Sequence, residues 1–548
     1  MSALPATAAH PIAYLCAEFG LESDLPFYAG GLGILAGDTL KQAADDHVHM
    51  VGIGLLYRGI GSIQNITAEG MQYESNAKFD PVEAGLDHVY HDEQPLFIPV
   101  KIAANNIWLR CWKKVISATV TLYLLDTETE QNQLHERSIT HELYAGSHEL
   151  QLKQQLLLGI GGAKLLDKLG ITPRVYHLNE GRPSFLIWEL IRQLKERQGL
   201  AYHAAWRLAK EKIVYTNHTL VNAGNNTYSP HLIRAFAQPY AELADDNVDL
   251  LLFSGMSSKN EYFSNTIFSL NSSRKASGVS AIHTELSRKM WPEYHWSAIT
   301  NAVHFGTWQS AAVAAAQGNP KTLWQAHLEE KEQLRAMVQN RTGYNYDPSW
   351  LVISWARRIA GYKRVNALFA DIRRLKSILT KINQPVLLLV AGKAHVQDQS
   401  GKELLQQIIQ TMQGELSGHA LFVPNYNIEL AQHLTRGSDL WLNTPEMGKE
   451  ACGTSGMKAL ANGVINFTVT DGWAAELDWN GVGWTLDSER VSESLYETLE
   501  QKIIPEFYRR NTQIYPENWV AMMQQSILAA RTFDAGRMLQ EYQTTLYQ

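Results

Sequence analysis

Three segments carry residues whose types and spacing could do chemistry. The densest in charge is Trp355-Ala-Arg357-Arg358-Ile-Ala-Gly-Tyr362-Lys363-Arg364, four cations in eight positions directly after an apolar run. Guanidinium and ammonium groups this close suit one or two phosphate dianions. A solvated basic turn opening a helix is the plainer alternative. The second segment is Glu446-Met-Gly-Lys-Glu450-Ala-Cys452-Gly453-Thr454-Ser455-Gly456-Met-Lys458. Its Gly-Thr-Ser-Gly turn offers donors to a phosphate or a sugar hydroxyl, and Glu450 can accept from sugar hydroxyls. Lys458 stands among small and apolar residues. Buried there, it would shed its proton readily and make a good Schiff-base amine; a lysine snorkelling to the surface would not. The third segment is Tyr28-Ala-Gly30-Gly31-Leu-Gly33-Ile-Leu-Ala-Gly37-Asp38. Closely spaced glycines let backbone N–H groups approach an anion. The spacing is neither GxGxxG nor a Walker loop, and a tight turn explains it equally well.

The elements that must position these segments read clearly in the second half. Strands are expected at 350–354, 385–390, 420–423 and 439–442, with helices at 367–382, 402–412 and 428–434 between them. Strands that are apolar on both faces and alternate with helices imply a parallel, doubly covered sheet. Ligands in such sheets bind beyond the carboxyl ends of the strands, where the basic cluster and the Lys458 segment fall. The first half also reads as α/β. Strands are expected at 12–16, 120–125, 174–178 and 213–216, and a long helix at 150–169 carries Gly159, Gly161 and Gly162, a sign of close backbone packing. The final stretch, 517–547, reads as helical.

At 548 residues the chain has room for roughly two to four domains of about 150 residues. The formal net charge of −7 argues against a general nucleic-acid binder. Cys16, Cys111 and Cys452 form no CxxC, so neither a disulfide framework nor a cysteine zinc site is expected. No basic region precedes an apolar run at the start, and no stretch approaches about 18 apolar residues, so neither a signal peptide nor a membrane span is expected. A cytoplasmic protein fits. Asp87-His88-Val-Tyr-His91-Asp92-Glu93 has metal-ligand residue types without the HExxH spacing, and no metal is expected. His304, Asp471 and Trp473 could line a ligand crevice or simply pack.

Together the motifs resemble the α-glucan phosphorylases (glycogen, starch and maltodextrin phosphorylases) in their shorter bacterial form. The resemblance rests on Glu450-Ala-Cys-Gly-Thr-Ser-Gly-Met-Lys458 and Ala356-Arg-Arg-Ile-Ala-Gly-Tyr-Lys-Arg364. Tyr215-Thr-Asn-His-Thr219, Ile299-Thr-Asn301, Asn179-Glu-Gly-Arg-Pro-Ser184, Ser277-Gly-Val-Ser-Ala-Ile-His283 and Gly30-Gly-Leu-Gly33 add to it. They run in family order from about residue 12 to about residue 477.

The resemblance implies an α/β fold of two Rossmann-like domains with a deep interdomain cleft, GT-B-like. The expected domains are 1–300, 301–520 binding pyridoxal 5′-phosphate, and a helix at 521–548 packing back on the first domain. The implied activity is reversible phosphorolysis of α-1,4-glucan (glycogen, maltodextrin) by inorganic phosphate, with retention, giving glucose 1-phosphate. Lys458 would carry the cofactor, with Thr454, Ser455, Gly31, Arg357 and Tyr426 against it. Arg358 and Lys363 would hold the substrate phosphate. Glu450, Gly453, His218 and Asn301 would bind the glucosyl unit, with Tyr362 and Gly30 nearby. Arg182 stands where many short relatives carry His, on the acceptor side, so chain-length preference is open. Homodimers are common in the family; no nucleic-acid or membrane partner is implied. Two rivals stay in view: a nucleotide-sugar-dependent glucan glycosyltransferase, and a catalytically degenerate glucan-binding protein.

Overall fold

The computed structural model describes residues 6–548 apart from 24, 145, 221–224 and 259–260. The chain forms two compact units. The first holds residues up to Ile60, Ala77–Thr300 and Met538–Gln548; the second holds Gly61–Asn76 and Asn301–Arg537.

In the first unit ten strands share one sheet: β1 (Ile12–Leu15), β2 (Met50–Leu55), β3 (Asp87–His88), β4 (Phe97–Ile102), β5 (Asn105–Val115), β6 (Val120–Asp126), β7 (Val175–Asn179), β8 (Ile213–Thr216), β9 (Lys275–Gly278) and β10 (Trp296–Ala298). Their order is β10-β9-β8-β7-β1-β2-β6-β5-β3, with β4 also on β5. From β10 to β6 the pairs are parallel, with Leu15 opposite both Ile53 and Leu178. Strands β3, β4 and β5 pair antiparallel. Every residue of β1, β2, β7 and β8 is buried, as apolar strands covered on both faces must be. The long helix runs from His148 to Lys168 through a wide turn at Leu157–Gly161. A Cβ on Gly159 would lie 2.6 Å from the Leu186 nitrogen, the backbone approach its glycines suggested.

The second unit has a six-stranded sheet, all parallel: β11 (Leu351–Ala356), β12 (Val386–Ala391), β13 (Ala420–Val423), β14 (Leu440–Asn443), β15 (Ile465–Val469) and β16 (Gly483–Leu486), in the order β13-β12-β11-β14-β15-β16. At its amino end Asp439 is fully buried. It takes Lys331 Nζ at 2.6 Å, His327 Nε2 at 2.8 Å and the Val352 N–H at 2.7 Å. Burial would push that carboxyl up, but Lys331 and His327 outweigh it and hold it below the usual range.

Two segments depart from the expected division. Residues 61–76 form a hairpin (Ile63–Ile66 with Gln72–Ser75) that belongs to the second unit. Of the stretch 521–548, only Met538–Gln548 joins the first unit. The helix Glu517–Ala530 stays with the second, because Trp519, Val520, Met523 and Ile527 are part of its core. The helix expected at 367–382 is shorter, Ile372–Leu379, and a 3₁₀ turn at Val365–Phe369 precedes it.

Candidate active site

The loops after β11 and β14 meet. Arg357, the first residue beyond β11, donates from Nη1 to Glu450 Oε2 at 3.2 Å and from Nη2 to Ser455 Oγ at 3.3 Å; Nη2 also bonds Oδ1 of the Asn443 side chain. Lys363 bonds the same Glu450 oxygen. Glu450 is oriented in turn by Asp471, which accepts its N–H at 3.0 Å. Burial would raise the Glu450 carboxyl; Lys363 and Arg357 overcome that and hold it below the ordinary range. Burial takes the Lys363 ammonium down to about 8, even though Glu450 pulls it back up, and Arg357 adds to the fall.

Ser455 opens the short helix Ser455–Ala461, and Lys458 follows three residues on. Residues three apart on a helix share a face, so Lys458 lies one turn from the serine that Arg357 touches. Lys458 is buried, with Nζ 3.5 Å from the Trp308 ring centroid. The snorkelling alternative is therefore set aside. Gly453 adopts φ +76°, and a Cβ there would press to 3.2 Å from the Glu450 carboxyl carbon. Thr454 caps the same helix with backbone alone; its carbonyl accepts the Lys458 N–H at 3.2 Å.

The other expected residues of this unit are dispersed around that knot. Asn301 is buried, and its Oδ1 has no hydrogen-bond partner among the described residues. Its backbone N–H faces the Cys452 thiol, which burial pushes far above the usual range. Arg358 is exposed, with no hydrogen bond or ion pair among the described residues. The Tyr362 ring lies under the Lys363 ammonium, 4.7 Å from its centroid. Tyr426 follows β13 on the same carboxyl edge, next to Asn425 at φ +57°. Arg364 corrects the four-cation reading. It sits at φ +51°, and its guanidinium binds the carbonyls of Thr444 (3.0 Å), Pro445 and Ser488 (3.1 Å). It braces the loop after β14 and does not serve as an anion donor.

In the first unit, the loops after β1, β7 and β8 open at one sheet edge. After β1 comes Glu18, whose Oε2 accepts the N–H groups of Ala29 (2.7 Å) and Gly30 (3.1 Å); Tyr144 Oη bonds its other oxygen. Those two amides are thus already taken. A Cβ on Gly30 or Gly31 would meet nothing within 4 Å, whereas one on Gly37 would lie 2.1 Å from the Gly20 carbonyl oxygen. Packing requires Gly37; it does not require Gly30 or Gly31. After β7, Arg182 stacks on the Tyr144 ring at 4.5 Å and reaches Gln151 at 3.4 Å. After β8, His218 Nε2 lies 2.6 Å from Asn179 Oδ1, and its N–H donates to Glu180 Oε2 at 2.9 Å. Burial, with His283 and His177 nearby, takes the imidazole down to about 3. The ring is neutral at physiological pH, and donating from Nε2 leaves a lone pair on Nδ1.

Glu18 was not singled out from the sequence, although an acid just beyond the first apolar strand stands where α/β sheets bind ligands. Among the metal-ligand types, the His88 ring stacks on Trp112 with centroids 4.0 Å apart.

Residues 164–299 and 309–483 match the family model described as carbohydrate phosphorylase. The chain belongs to the carbohydrate phosphorylases. Among its relatives, the phosphorylase is 33% identical to the maltodextrin phosphorylase of Thermococcus litoralis, across 98% of this chain and 70% of that one. It is 33% identical to the glycogen phosphorylase of Aquifex aeolicus, across 98% and 86%. It is 31% identical to the glycogen phosphorylase of Mycobacterium tuberculosis, across 97% and 70%.

Proposed function

We propose that this phosphorylase cleaves α-1,4-glucan with inorganic phosphate and releases glucose 1-phosphate. The single observation that carries the reading is the knot of Arg357, Lys363, Glu450 and Ser455 one helical turn from buried Lys458. In the reaction the bond from C1 to the glycosidic oxygen breaks, a bond from C1 to a phosphate oxygen forms, and a proton passes to the departing sugar oxygen. The named relatives are glycogen and maltodextrin phosphorylases over nearly the whole chain, which favours neither rival reading.

The residues fit pyridoxal 5′-phosphate. Arg357 Nε is buried and has no partner among the described residues, a donor left over beside Ser455. Gly31 keeps a space that packing does not demand. Lys458 would hold the carbonyl carbon of the group, and Arg357, Thr454, Ser455, Tyr426 and Gly31 would surround the rest. When bound, the group supplies a second phosphate that trades a proton with the substrate phosphate.

Arg358 and Lys363 bind the substrate phosphate and offset its charge as it faces a cationic sugar. Glu450 keeps Lys363 in place with one oxygen. Among the described residues no donor reaches its other oxygen, which takes a glucosyl hydroxyl. Neutral His218 accepts a hydroxyl at Nδ1, and Asn301 Oδ1 accepts another. Gly453, Tyr362, Gly30 and Arg182 shape the sugar subsites. The reading carries with it a GT-B-like fold. Among the described residues no helix is long and apolar enough to cross a membrane.

The test is incubation with maltodextrin and inorganic phosphate, assayed for glucose 1-phosphate. The wild type forms it; Lys458→Ala forms none and lacks the near-ultraviolet absorbance of the bound group. A colourless wild type purified from vitamin-replete cells would overturn the cofactor assignment.

A further inference from the structure

The hairpin at residues 61–76 places two buried glutamines against the loops that flank the basic cluster. Gln64 and Gln72 are each 3% exposed. Gln64 Nε2 donates to the Gly392 carbonyl at 2.8 Å and to Gln72 Oε1 at 2.8 Å, while its Oε1 accepts the Asn425 N–H at 2.8 Å. Gln72 Nε2 donates to the Ala394 carbonyl at 2.9 Å, and its Oε1 accepts the Ala394 N–H at 3.0 Å. A glutamine amide both gives and takes hydrogen bonds, which is how each side chain can pair with an N–H and a carbonyl at once. Lys393 Nζ returns a bond to the Ser62 carbonyl at 2.8 Å, and Lys402 pairs with Glu74 at 2.8 Å.

The pinned backbone is the continuation of β12 alongside the cluster. The Arg357 N–H donates to the Ala391 carbonyl at 3.2 Å, and the Ile359 N–H to the Lys393 carbonyl at 2.9 Å. Arg358 is held between those two rungs. A Cβ on Gly392 would lie 1.9 Å from the Arg357 carbonyl oxygen, so only glycine lets the two backbones pass this closely. On the other side Asn425 leads directly into Tyr426. Gln64 therefore ties the loop after β12 to the loop after β13.

We infer that Gln64 and Gln72 are positioning residues for phosphate: through residues 391–394 and 425 they fix where the Arg357–Arg358 backbone and Tyr426 stand. This rests on the phosphorolysis proposed above. Losing such a brace leaves the cations present but misplaced, so phosphate affinity suffers before sugar affinity does.

The experiment compares Gln64→Leu, Gln72→Leu and Gln64→Glu as cofactor-loaded full-length enzymes. The readouts are KM for phosphate, KM for maltodextrin, kcat, and amide hydrogen exchange at residues 391–396 and 425–427. Expected are a KM for phosphate raised about tenfold by either leucine, a maltodextrin KM within about twofold, and faster exchange confined to those loops. Gln64→Glu keeps the acceptor for Asn425 but turns its second oxygen on the Gly392 carbonyl and Gln72 Oε1, so its phosphate KM rises at least as far as that of Gln64→Leu; if the leucine variants do not fold, the same readouts on Gln64→Glu decide. Both KM values rising together, or neither moving, overturns the inference. A wild type that forms no glucose 1-phosphate defeats the phosphorolysis reading instead, and the exchange data still judge the brace.

Discussion

Arg357 Nη1 lies 3.2 Å from Glu450 Oε2, the oxygen that also receives Lys363. One carboxylate atom thus anchors two cations from the far end of the neighbouring loop. All three side chains are largely buried, at 10 to 12% exposure. Removing a buried partner costs more than the pair itself contributes, because charge is left unpaired. Glu450→Ala should therefore lose about 3 kcal/mol of stability, read by urea denaturation. A loss within experimental error would mean that solvent already satisfies the two cations.

Lys363 sets a pH limit. Burial places its ammonium near 8 in the folded chain, against 10.5 for an ordinary lysine. Above pH 8 the folded side chain loses its charge, so the KM for phosphate should climb. Between about 8 and 10.5 the unfolded chain holds the extra proton, so this group makes folding more favourable as pH rises through that window. Affinity and stability should thus move in opposite directions there. In Lys363→Arg the alkaline rise in KM should disappear, which a pH series of initial rates will show.

The glycine loop separates space kept for packing from space kept for something else. Gly37→Ala drives a methyl group to 2.1 Å from the Gly20 oxygen and should cost about 2 kcal/mol. Gly31→Ala meets no protein atom and should change stability by no more than about 0.5 kcal/mol, with stabilisation the expected sign. Retention of cofactor should nonetheless weaken in Gly31→Ala, measured as faster bleaching on dialysis. Equal retention in Gly31→Ala and wild type would mean that nothing bound approaches this residue.

Arg182 stacks on Tyr144, whose hydroxyl bonds Glu18, and Glu18 holds the Gly30 amide. A partly desolvated cation–π contact is worth about 1 kcal/mol. Arg182→His should alter kcat/KM by about fivefold, unevenly across maltodextrins of increasing length. A uniform change across lengths would place Arg182 outside the acceptor subsites.

Much of this architecture is legible in the residue order. Strands β11 to β14 are continuous apolar runs, and such runs have few alternatives to a covered parallel sheet. Lys458 among small residues leaves burial and snorkelling both open, and only the folded chain, where it is buried, decides between them. Other features depend on contacts that local pattern does not encode. Arg364 reads as one more cation in a basic cluster, and only its positive φ and three carbonyl partners reveal a brace. The strand pair β4–β5 is antiparallel inside a mostly parallel sheet and carries exposed polar positions, so its alternation is diluted. Gln64 and Gln72 look like surface polar residues, because their partners lie more than three hundred positions away.

That separation bears on how the molecule can be assembled. During synthesis the segment holding Gln64 leaves the ribosome 328 positions ahead of the carbonyl it will bind, and the last eleven residues belong with what was made first. Neither half is a contiguous stretch of gene, so a single cut cannot yield either one intact. A fragment beginning at Asn301 would emerge with an open seam along Gly392 and Ala394, a row of bare amides and carbonyls ready to recruit a stranger's strand.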